Sequence, residues 1–252
     1  MIIDTHMHAD ARSSEDFETM YNSGVDTAIT CAYYPYKLRS SECLLNHFDR
    51  IRKYDPKRAA EYGLKLEVAL GIHPVNSKID YKPIIKELEE LIINKKIKII
   101  GEIGLDQNTP QEQEVFKKQL QLADQLKTKV IIHTPRKNKT EVLKDIKKIA
   151  DENINPKLVV IDHINQNVIE DIIDTDYTLG LTIQPQKMST DECISILDEY
   201  GFDKFLLNSD ISNKPSNPLS VPETVRTLKR LNYNKKDINK VSYKNAVEFF
   251  NL

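Results

Sequence analysis

Short apolar runs alternate along the chain with longer segments in which apolar and charged positions follow a helical spacing. Several runs are uninterrupted and rich in β-branched residues, as in VIIH, LVVID and KIIGEIG. Such runs are typical of strands buried on both faces of a parallel sheet. The pattern predicts eight strands, at Met1–Thr5, Val25–Ala32, Leu64–Gly71, Ile97–Ile103, Lys129–His133, Lys157–Asp162, Tyr177–Thr182 and Lys204–Asn208.

Most of these runs are followed by a segment with the composition and the starting signals of a helix. Three starts carry a Ser or Thr followed three residues later by Glu, which is the spacing of a capping box. These pairs are Thr109 with Glu112, Ser189 with Glu192, and Ser220 with Glu223. The last segment, residues 237–252, has an amphipathic pattern, and we expect a terminal helix packed on the exterior of the fold.

Eight β-then-α units in 252 residues match the size of a (β/α)8 TIM barrel. The alternative is an open, doubly wound sheet, but its G-x-G-x-x-G turn is missing from this chain, which has seven glycines. The sequence contains no linker and no low-complexity segment. We therefore expect one α/β domain, a (β/α)8 barrel over residues 1–252.

The composition narrows the classes of function. A formal net charge of −2 gives no global electrostatic case for tight binding of duplex DNA, so a nucleic-acid substrate would have to be held locally. Three widely spaced cysteines form neither a disulfide framework nor a zinc finger. Since no apolar stretch matches a transmembrane helix or a signal peptide, we expect a cytoplasmic protein that does not act at a membrane.

Polar residues concentrate where the predicted strands end. The first strand leads into DTHMH, and residues two apart in a strand point to the same side, so His6 and His8 should project together. Five of the six histidines lie at such strand ends, which random placement would not produce. In a barrel these ends meet on one face, where active sites are found. The candidates at this face are His6, His8, Glu102, His133, His163 and Asp210, with His73 beside them.

These residue types point to metal chemistry. Imidazole nitrogen and carboxylate oxygen are ligands of zinc and similar divalent ions. Six candidate ligands exceed the need of one catalytic ion and are enough for two ions bridged by a carboxylate. Two adjacent ions suit hydrolysis, because they lower the pKa of a shared water and neutralise the oxygens of a phosphoryl or acyl group. We expect two divalent ions, Zn, Mg or Mn.

The motifs of the chain resemble those of a known family. They are DTHMH (4–8), GIHP (71–74), GEIGLD (101–106), FKKQLQLA (116–123) with VIIH (130–133), DH (162–163), SD (209–210) and SYKNAVEFF (242–250). Their order and their span are similar to the TatD family of metal-dependent hydrolases and deoxyribonucleases, within the amidohydrolase superfamily of (β/α)8 barrels. The combination of GEIGLD with DTHxH is the most specific part of this resemblance.

The resemblance implies a role for each candidate ligand. The implied ligands are His6, His8 and Asp210 for the first ion, His133 and His163 for the second ion, and Glu102 as the bridge between them. Asp210 is also implied as the general base, which takes the proton from the attacking water between the two ions. A plain glutamate at the bridge distinguishes this chain from the many superfamily members that use a carboxylated lysine.

The chain departs from the family pattern around the expected substrate. Ser209 stands where the family has a glutamate before the last ligand, and Val75 stands where a second histidine often follows the HP pair. Pro135 takes the place of a common arginine, and the arginine comes one residue later, as Arg136. These departures leave the metal site in place and put the substrate in question.

On the resemblance we expect a phosphodiester substrate, either a DNA 3′ end or a small nucleotide, with His73 and Arg136 contacting it. Because the arginine is displaced by one residue, an amide, ester or lactone is an alternative substrate for the same two ions. A metal-binding barrel without catalysis is a third hypothesis. Two carboxylates have alternative roles: Asp4 orients a histidine or caps a loop, and Asp106 binds substrate or braces the loop after the fourth strand.

Overall fold

The eight predicted strands form a parallel, nearly closed (β/α)8 barrel, and the predicted fold class is confirmed. The computed structural model describes residues 1–252. The strands are β1 (Ile3–Met7), β2 (Thr27–Cys31), β3 (Lys65–Leu70), β4 (Ile99–Gly104), β5 (Lys129–His133), β6 (Val159–Ile161), β7 (Thr178–Thr182) and β8 (Phe205–Asn208). They are neighbours in the sheet in the order in which they occur along the chain.

Helices connect the strands on the outside of the barrel, and three more follow the last strand. They are α1 (Ser14–Asn22), α2 (Ser41–Lys53), α3 (Asp55–Ala60), α4 (Lys82–Ile93), α5 (Pro110–Gln125), α6 (Lys139–Asn153), α7 (Thr190–Tyr200), α8 (Ser220–Arg230), α9 (Lys235–Asn239) and α10 (Asn245–Phe250). The connection from β6 to β7 contains only a 3₁₀ turn, Ile169–Asp171. No helix combines the length and the apolar character needed to cross a membrane.

Hydrogen bonds between β1 and β8 join the two ends of the sheet. The Asp210 N–H donates to the His6 carbonyl at 2.9 Å, and the His8 N–H donates to the Ile211 carbonyl at 2.9 Å. The Thr5 hydroxyl donates to the Leu207 carbonyl at 3.1 Å. This closure places the N-terminal histidines beside Asp210, which follows His8 by 202 positions in the chain.

The helix starts agree with the capping pattern only in part. Ser189 and Glu192 form the predicted reciprocal capping box at α7. At α8 the prediction is wrong, because Leu219 occupies the cap position and the Glu223 carboxylate accepts a hydrogen bond from the Asn217 amide. A side chain in the preceding loop thus competes for the same carboxylate, which the local spacing does not reveal.

The apolar core lies on both sides of the sheet. A cluster of 60 buried residues fills the layer between strands and helices, and a cluster of ten fills the inside of the barrel. Ala246 and Phe250 of α10 belong to the inner cluster, with Ile3 and Ile131. The terminal helix therefore closes the amino-terminal end of the barrel, and the expected exterior position is wrong. An amphipathic pattern shows that a helix has an apolar face, but it does not show which surface receives that face.

Candidate metal centre

The carboxyl ends of five strands bring the six candidate ligands together. His6 is at the end of β1 and His8 follows it, Glu102 lies within β4, and His133 ends β5. His163 and Asp210 lie two residues beyond β6 and β8. All six side chains are buried or nearly so. The carboxyl ends of the parallel strands and the residues that follow them thus bring imidazoles and carboxylates together at one end of the barrel.

Glu102 occupies the middle of this group. Its Oε2 atom lies 3.5 Å from Nε2 of His6 and 3.6 Å from Nε2 of His8. Its Oε1 atom lies 2.8 Å from Nδ1 of His133 and 3.2 Å from Nε2 of His163. The two oxygens of one carboxylate therefore face two different pairs of imidazoles, which is the arrangement required of a bridging ligand.

Asp210 completes the half of the centre formed by the first strand. Its Oδ1 atom lies 3.0 Å from Nε2 of His8 and 3.9 Å from Nε2 of His6. One ligand atom from each of these three residues can be chosen so that all lie within 4.8 Å of one another. The same holds for His6, Glu102 and His163. Each group has the size and the donor atoms of a binding site for a divalent ion.

Every histidine of the centre has a protein partner at its second ring nitrogen. These partners are the Asp162 carboxylate for His6 (2.6 Å), the Cys31 carbonyl for His8 (3.0 Å), the Asp106 carboxylate for His133 (2.8 Å) and the Thr182 hydroxyl for His163 (2.7 Å). Such partners fix the ring orientation, and a hydrogen donated on one side leaves a lone pair on the other. The four rings are thereby oriented as ligands.

The Nε2 atom of His6 tests whether a cation fits the centre. This atom is buried and has no hydrogen-bond partner. A buried ring nitrogen without a partner carries a desolvation cost, which ligation of a cation would remove. Because the surrounding donors are imidazole nitrogens and carboxylate oxygens, the residues present fit a divalent ion.

The electrostatics keep the two central carboxylates ionised. Burial by itself would raise the pKa of Glu102, but the imidazoles of His6 and His133 hold that pKa well below its usual range. Burial also opposes ionisation of Asp210, but the Lys187 ammonium and the hydrogen bond with His8 hold its pKa well below its usual range. Both carboxylates are therefore available as anionic ligands near neutral pH.

Asp162 was part of the predicted DH motif, but the sequence did not reveal its role. Its Oδ2 atom holds Nδ1 of His6, and its Oδ1 atom accepts a hydrogen bond from the Asn208 amide at 3.2 Å. A Cβ atom at Gly180 would overlap this carboxylate. A glycine on β7 therefore makes the space in which Asp162 orients His6.

Gly180→Ala is expected to weaken metal binding and turnover by about ten- to a hundredfold, the usual effect of disturbing a partner of a metal-bound histidine. The added methyl group would displace the Asp162 carboxylate from His6. Metal titration and steady-state kinetics measure the effect, with thermal unfolding to verify the fold. Asp162→Asn should produce a similar loss, and normal metal affinity in both folded variants would contradict the role assigned to Asp162.

Asp106 contacts a histidine of the centre. Its Oδ1 atom accepts from Nε2 of His133 at 2.8 Å, so it orients that ring. The loop that carries Asp106 is held by Glu112, whose carboxylate accepts the backbone N–H groups of residues 106, 107 and 108 at 2.8–2.9 Å. Thr109 caps α5 as predicted, but Glu112 braces this loop and does not return to Thr109.

Asp4 ties β1 to the segment after β8. It accepts the backbone N–H of His6 at 3.3 Å and that of Ser209 at 3.1 Å, and the Ser209 hydroxyl also donates to it. Its carboxylate contacts no imidazole, so of the two expected roles the structure favours the cap of a loop, here the one that begins at Ser209. Ser209, at the position where the family has a glutamate, thus serves the closure of the barrel beside Asp210.

A cavity of about 370 Å³, called here the main cavity, opens over the centre. Most of the residues that line it are polar or charged, including His8, Tyr33, His73, Asp106, Arg136 and Lys214. Both predicted substrate residues, His73 and Arg136, therefore face the space above the centre. Their contact with a substrate stays a prediction.

His73 is held as a neutral hydrogen-bond donor. Its Nδ1 atom accepts the Val75 N–H at 3.1 Å, which places the ring hydrogen on Nε2. Burial lowers the pKa of His73 to about 4. The Tyr33 ring packs between the rings of His8 and His73, with centroid distances of 5.1 and 4.8 Å.

Lys187, in the loop after β7, is a site residue that the sequence did not reveal. Its ammonium bonds Oδ2 of Asp210 and lies 3.3 Å from both ring nitrogens of His163. Its side chain is only 10% exposed. The available signal was a cation in the loop after a strand that contributed no predicted ligand, but lysines are common in solvated loops.

The comparisons with known proteins agree with this geometry. The TatD-related DNase family matches residues 3–251. A relative from Methanocaldococcus jannaschii, described as an uncharacterized metal-dependent hydrolase, is 40% identical over 253 residues, which is 100% of both chains.

Solved structures extend the comparison to the fold. A TatD-like protein from Archaeoglobus fulgidus superposes with a TM-score of 0.85 at 26% identity and covers 99% of this chain and 100% of its own. A phosphotriesterase homology protein from Escherichia coli, at 16% identity, has a TM-score of 0.72 and covers 99% and 98%. The first supports the family and the second the fold alone. The chain thus belongs to the TatD family and is a metal-dependent hydrolase of that type.

Proposed function

We propose that this protein hydrolyses phosphodiesters with two divalent ions, and that its substrate is a nucleic-acid end or a small nucleotide. The proposed ligands are His6, His8 and Asp210 for the first ion, His133 and His163 for the second, and Glu102 between them. The two carboxylate oxygens of Glu102 each lie near a separate pair of imidazoles, which supports the use of two ions.

The charge of the main cavity is the observation that carries the choice of substrate. The carboxylates of its wall already contact imidazoles. Two bound divalent ions would add further positive charge to a space that water can enter. An anionic substrate gains electrostatic energy in such a space, whereas a neutral ester does not. The cationic side chains of the wall are Arg136, Lys137, Lys187 and Lys214.

In the proposed reaction, each residue of the site has a separate role. The ions, when bound, would supply an acidified water and neutralise charge on the substrate oxygens. In this proposal Asp210 takes the proton of the attacking water, and the Lys187 ammonium keeps its carboxylate ionised beforehand. The Nε2–H of the neutral His73 and the guanidinium of Arg136, both in the wall of the main cavity, are the proposed donors to substrate oxygens.

A substrate screen of the metal-loaded protein tests this proposal. Bis(p-nitrophenyl) phosphate and thymidine 5′-monophosphate p-nitrophenyl ester should be hydrolysed with a higher kcat/KM than p-nitrophenyl acetate or a simple lactone. Protein loaded separately with Zn, Mn or Mg identifies the effective ion. A preference for the ester or the lactone would overturn the phosphodiester assignment and favour the carboxyl-ester alternative.

Arg136→Ala should raise KM for a phosphodiester by about ten- to a hundredfold, the loss expected for a hydrogen bond to a charged group of roughly 1.5–3 kcal/mol. Arg136 donates to the Gln184 side-chain oxygen at 2.9 Å, which holds the guanidinium at the edge of the main cavity. Steady-state kinetics on a phosphodiester and on an uncharged ester measure the difference. Lys144→Ala, on the exposed side of α6, is the matched control. Equal effects of Arg136→Ala on both substrates would argue against phosphate recognition by this residue.

A further inference from the structure

A second cavity lies beside the main cavity, on the far side of Lys187 and His163. It has a volume of about 50 Å³, and we call it the lateral pocket. Arg136 and Lys187 line both cavities, so the two spaces are adjacent. The wall of the lateral pocket includes Thr134, Arg136, Lys139, His163, Thr182 and Lys187. None of the functions assigned above uses this space.

Three cationic side chains line the lateral pocket, and one of them, Lys187, is already paired with the Asp210 carboxylate. Three of its wall residues are Arg136, Lys139 and Lys187, and none of the ten is a carboxylate. The Lys139 ammonium makes its hydrogen bonds to neutral oxygens, the Thr134 hydroxyl at 2.7 Å and the His163 carbonyl at 2.8 Å. Burial and the neighbouring charges of Lys187 and Arg136 lower the pKa of Lys139 to about 7. Arg136 and Lys139 bond only neutral oxygens, so an anion that enters the cavity gains electrostatic energy beside them.

The surrounding backbone adds to this positive potential. The α6 helix begins at Lys139, and its cap residue, Asn138, makes no side-chain capping hydrogen bond. The positive end of the helix dipole therefore lies in the same region as the three cations. In the wall, the Thr182 hydroxyl and the Asn165 amide offer neutral donors of the kind that complete an anion site.

The size of the lateral pocket restricts what can enter. A volume of about 50 Å³ admits a few waters or one compact oxyanion, but no nucleobase or sugar. We propose that the lateral pocket binds a phosphate group other than the one that reacts at the metal centre. Arg136, Lys139 and Lys187 supply the charge, and Arg136 and Lys187 stand between the two phosphates.

Two sources can supply this phosphate. One is the substrate itself, whose terminal phosphate would enter the lateral pocket while a neighbouring phosphodiester lies at the metal centre. The other is free inorganic phosphate. The substrate source rests on the function proposed above, whereas the pocket itself does not. The experiments below separate the pocket from its source.

The stoichiometry of phosphate binding tests the pocket. Calorimetric titration of the metal-loaded protein with inorganic phosphate should show one more bound phosphate per chain in the wild type than in Lys139→Met, whose stem is kept but whose charge is removed. Lys139→Arg and the surface control Lys144→Met should retain the additional phosphate. Equal stoichiometry and affinity in the wild type and Lys139→Met would overturn the proposal. Because the readout is a difference, it also holds if no phosphate binds at the metal centre.

A second variant, Arg136→Ala, tests the lateral pocket in case Lys139→Met does not fold. Arg136 is exposed in the loop before α6, and its replacement by alanine removes no buried side chain. Arg136→Ala should weaken the additional phosphate by about ten- to a hundredfold. If Arg136→Ala and the control both bind this phosphate with unchanged affinity, Arg136 is not part of the phosphate site and the proposal is contradicted.

The source of the phosphate is read from two dinucleotides. TpT and its 5′-phosphorylated form pTpT share the same phosphodiester, but only pTpT carries a terminal phosphate. A kcat/KM for pTpT at least about tenfold above that for TpT, lost in Lys139→Met, assigns the pocket to the substrate. Equal values for the two dinucleotides, with the additional phosphate still bound in titration, assign it to free phosphate. If neither dinucleotide is hydrolysed, the proposed function is rejected, but the phosphate stoichiometry from the titration is unaffected.

Discussion

Asp210→Asn is expected to lower kcat by at least about a hundredfold while the fold remains intact, the low end of what a general base contributes. The amide keeps the shape of the side chain but loses its charge and its basicity. It also faces the Lys187 ammonium, which bonds Oδ2 of Asp210 in the native protein. Steady-state kinetics of metal-saturated enzyme, with thermal unfolding as a check, measure the loss.

The matched control is Asp203→Asn. Asp203 precedes β8 at the opposite end of the barrel, is exposed, and pairs with Lys240 at 2.7 Å. Exposed ion pairs contribute little to stability, so this variant should retain normal turnover. An Asp210→Asn enzyme with near-normal kcat at full metal occupancy would remove Asp210 as the base.

Glu102→Gln is expected to weaken the binding of both ions, with an effect on affinity of at least about a hundredfold for one of them. Loss of a partner behind a ligand already costs ten- to a hundredfold, and here the ligand itself is altered. An amide offers one oxygen in place of two, so it serves only one of the two imidazole pairs that flank Glu102. Elemental analysis of protein dialysed against limiting metal gives the occupancy.

Glu67→Gln provides the comparison. Glu67 lies on β3, outside the centre, and pairs with Lys65 at 2.7 Å. The wild type and this control should both retain up to two divalent ions per chain. Occupancy and affinity in Glu102→Gln equal to those of the control would refute the bridging role. A loss of one ion only, with the other bound normally, would restrict Glu102 to a single ion.

The clustering of the candidate ligands could be predicted, because it depends on local pattern and on one rule of topology. Residues two apart in a strand share a side, which pairs His6 with His8. The carboxyl ends of barrel strands share a face, which adds Glu102, His133 and Asp210. Once the eight apolar runs are recognised, these residues must lie close together, whatever the helices between them do.

The partners of these ligands could not be predicted in the same way. Asp162 reaches His6 across 156 positions of the chain, and Thr182 reaches His163 across 19. The Cys31 carbonyl that orients His8 is a backbone atom, so no residue type could have signalled it. Lys187 reaches Asp210 from a loop whose course follows from packing and not from periodicity.

The sequence by itself determined the barrel and its eight strands, because hydrophobic period and strand-end chemistry are local properties that survive any particular packing. The order of its motifs gave the resemblance to the family. Only the tertiary structure decided how the imidazoles are oriented, where α10 packs, and that Glu112 braces the loop carrying Asp106. It also decided that Arg136, Lys139 and Lys187 meet at one cavity. Each of these outcomes depends on side chains from separate elements competing for the same space or the same hydrogen bond, and that competition is settled only when the elements pack.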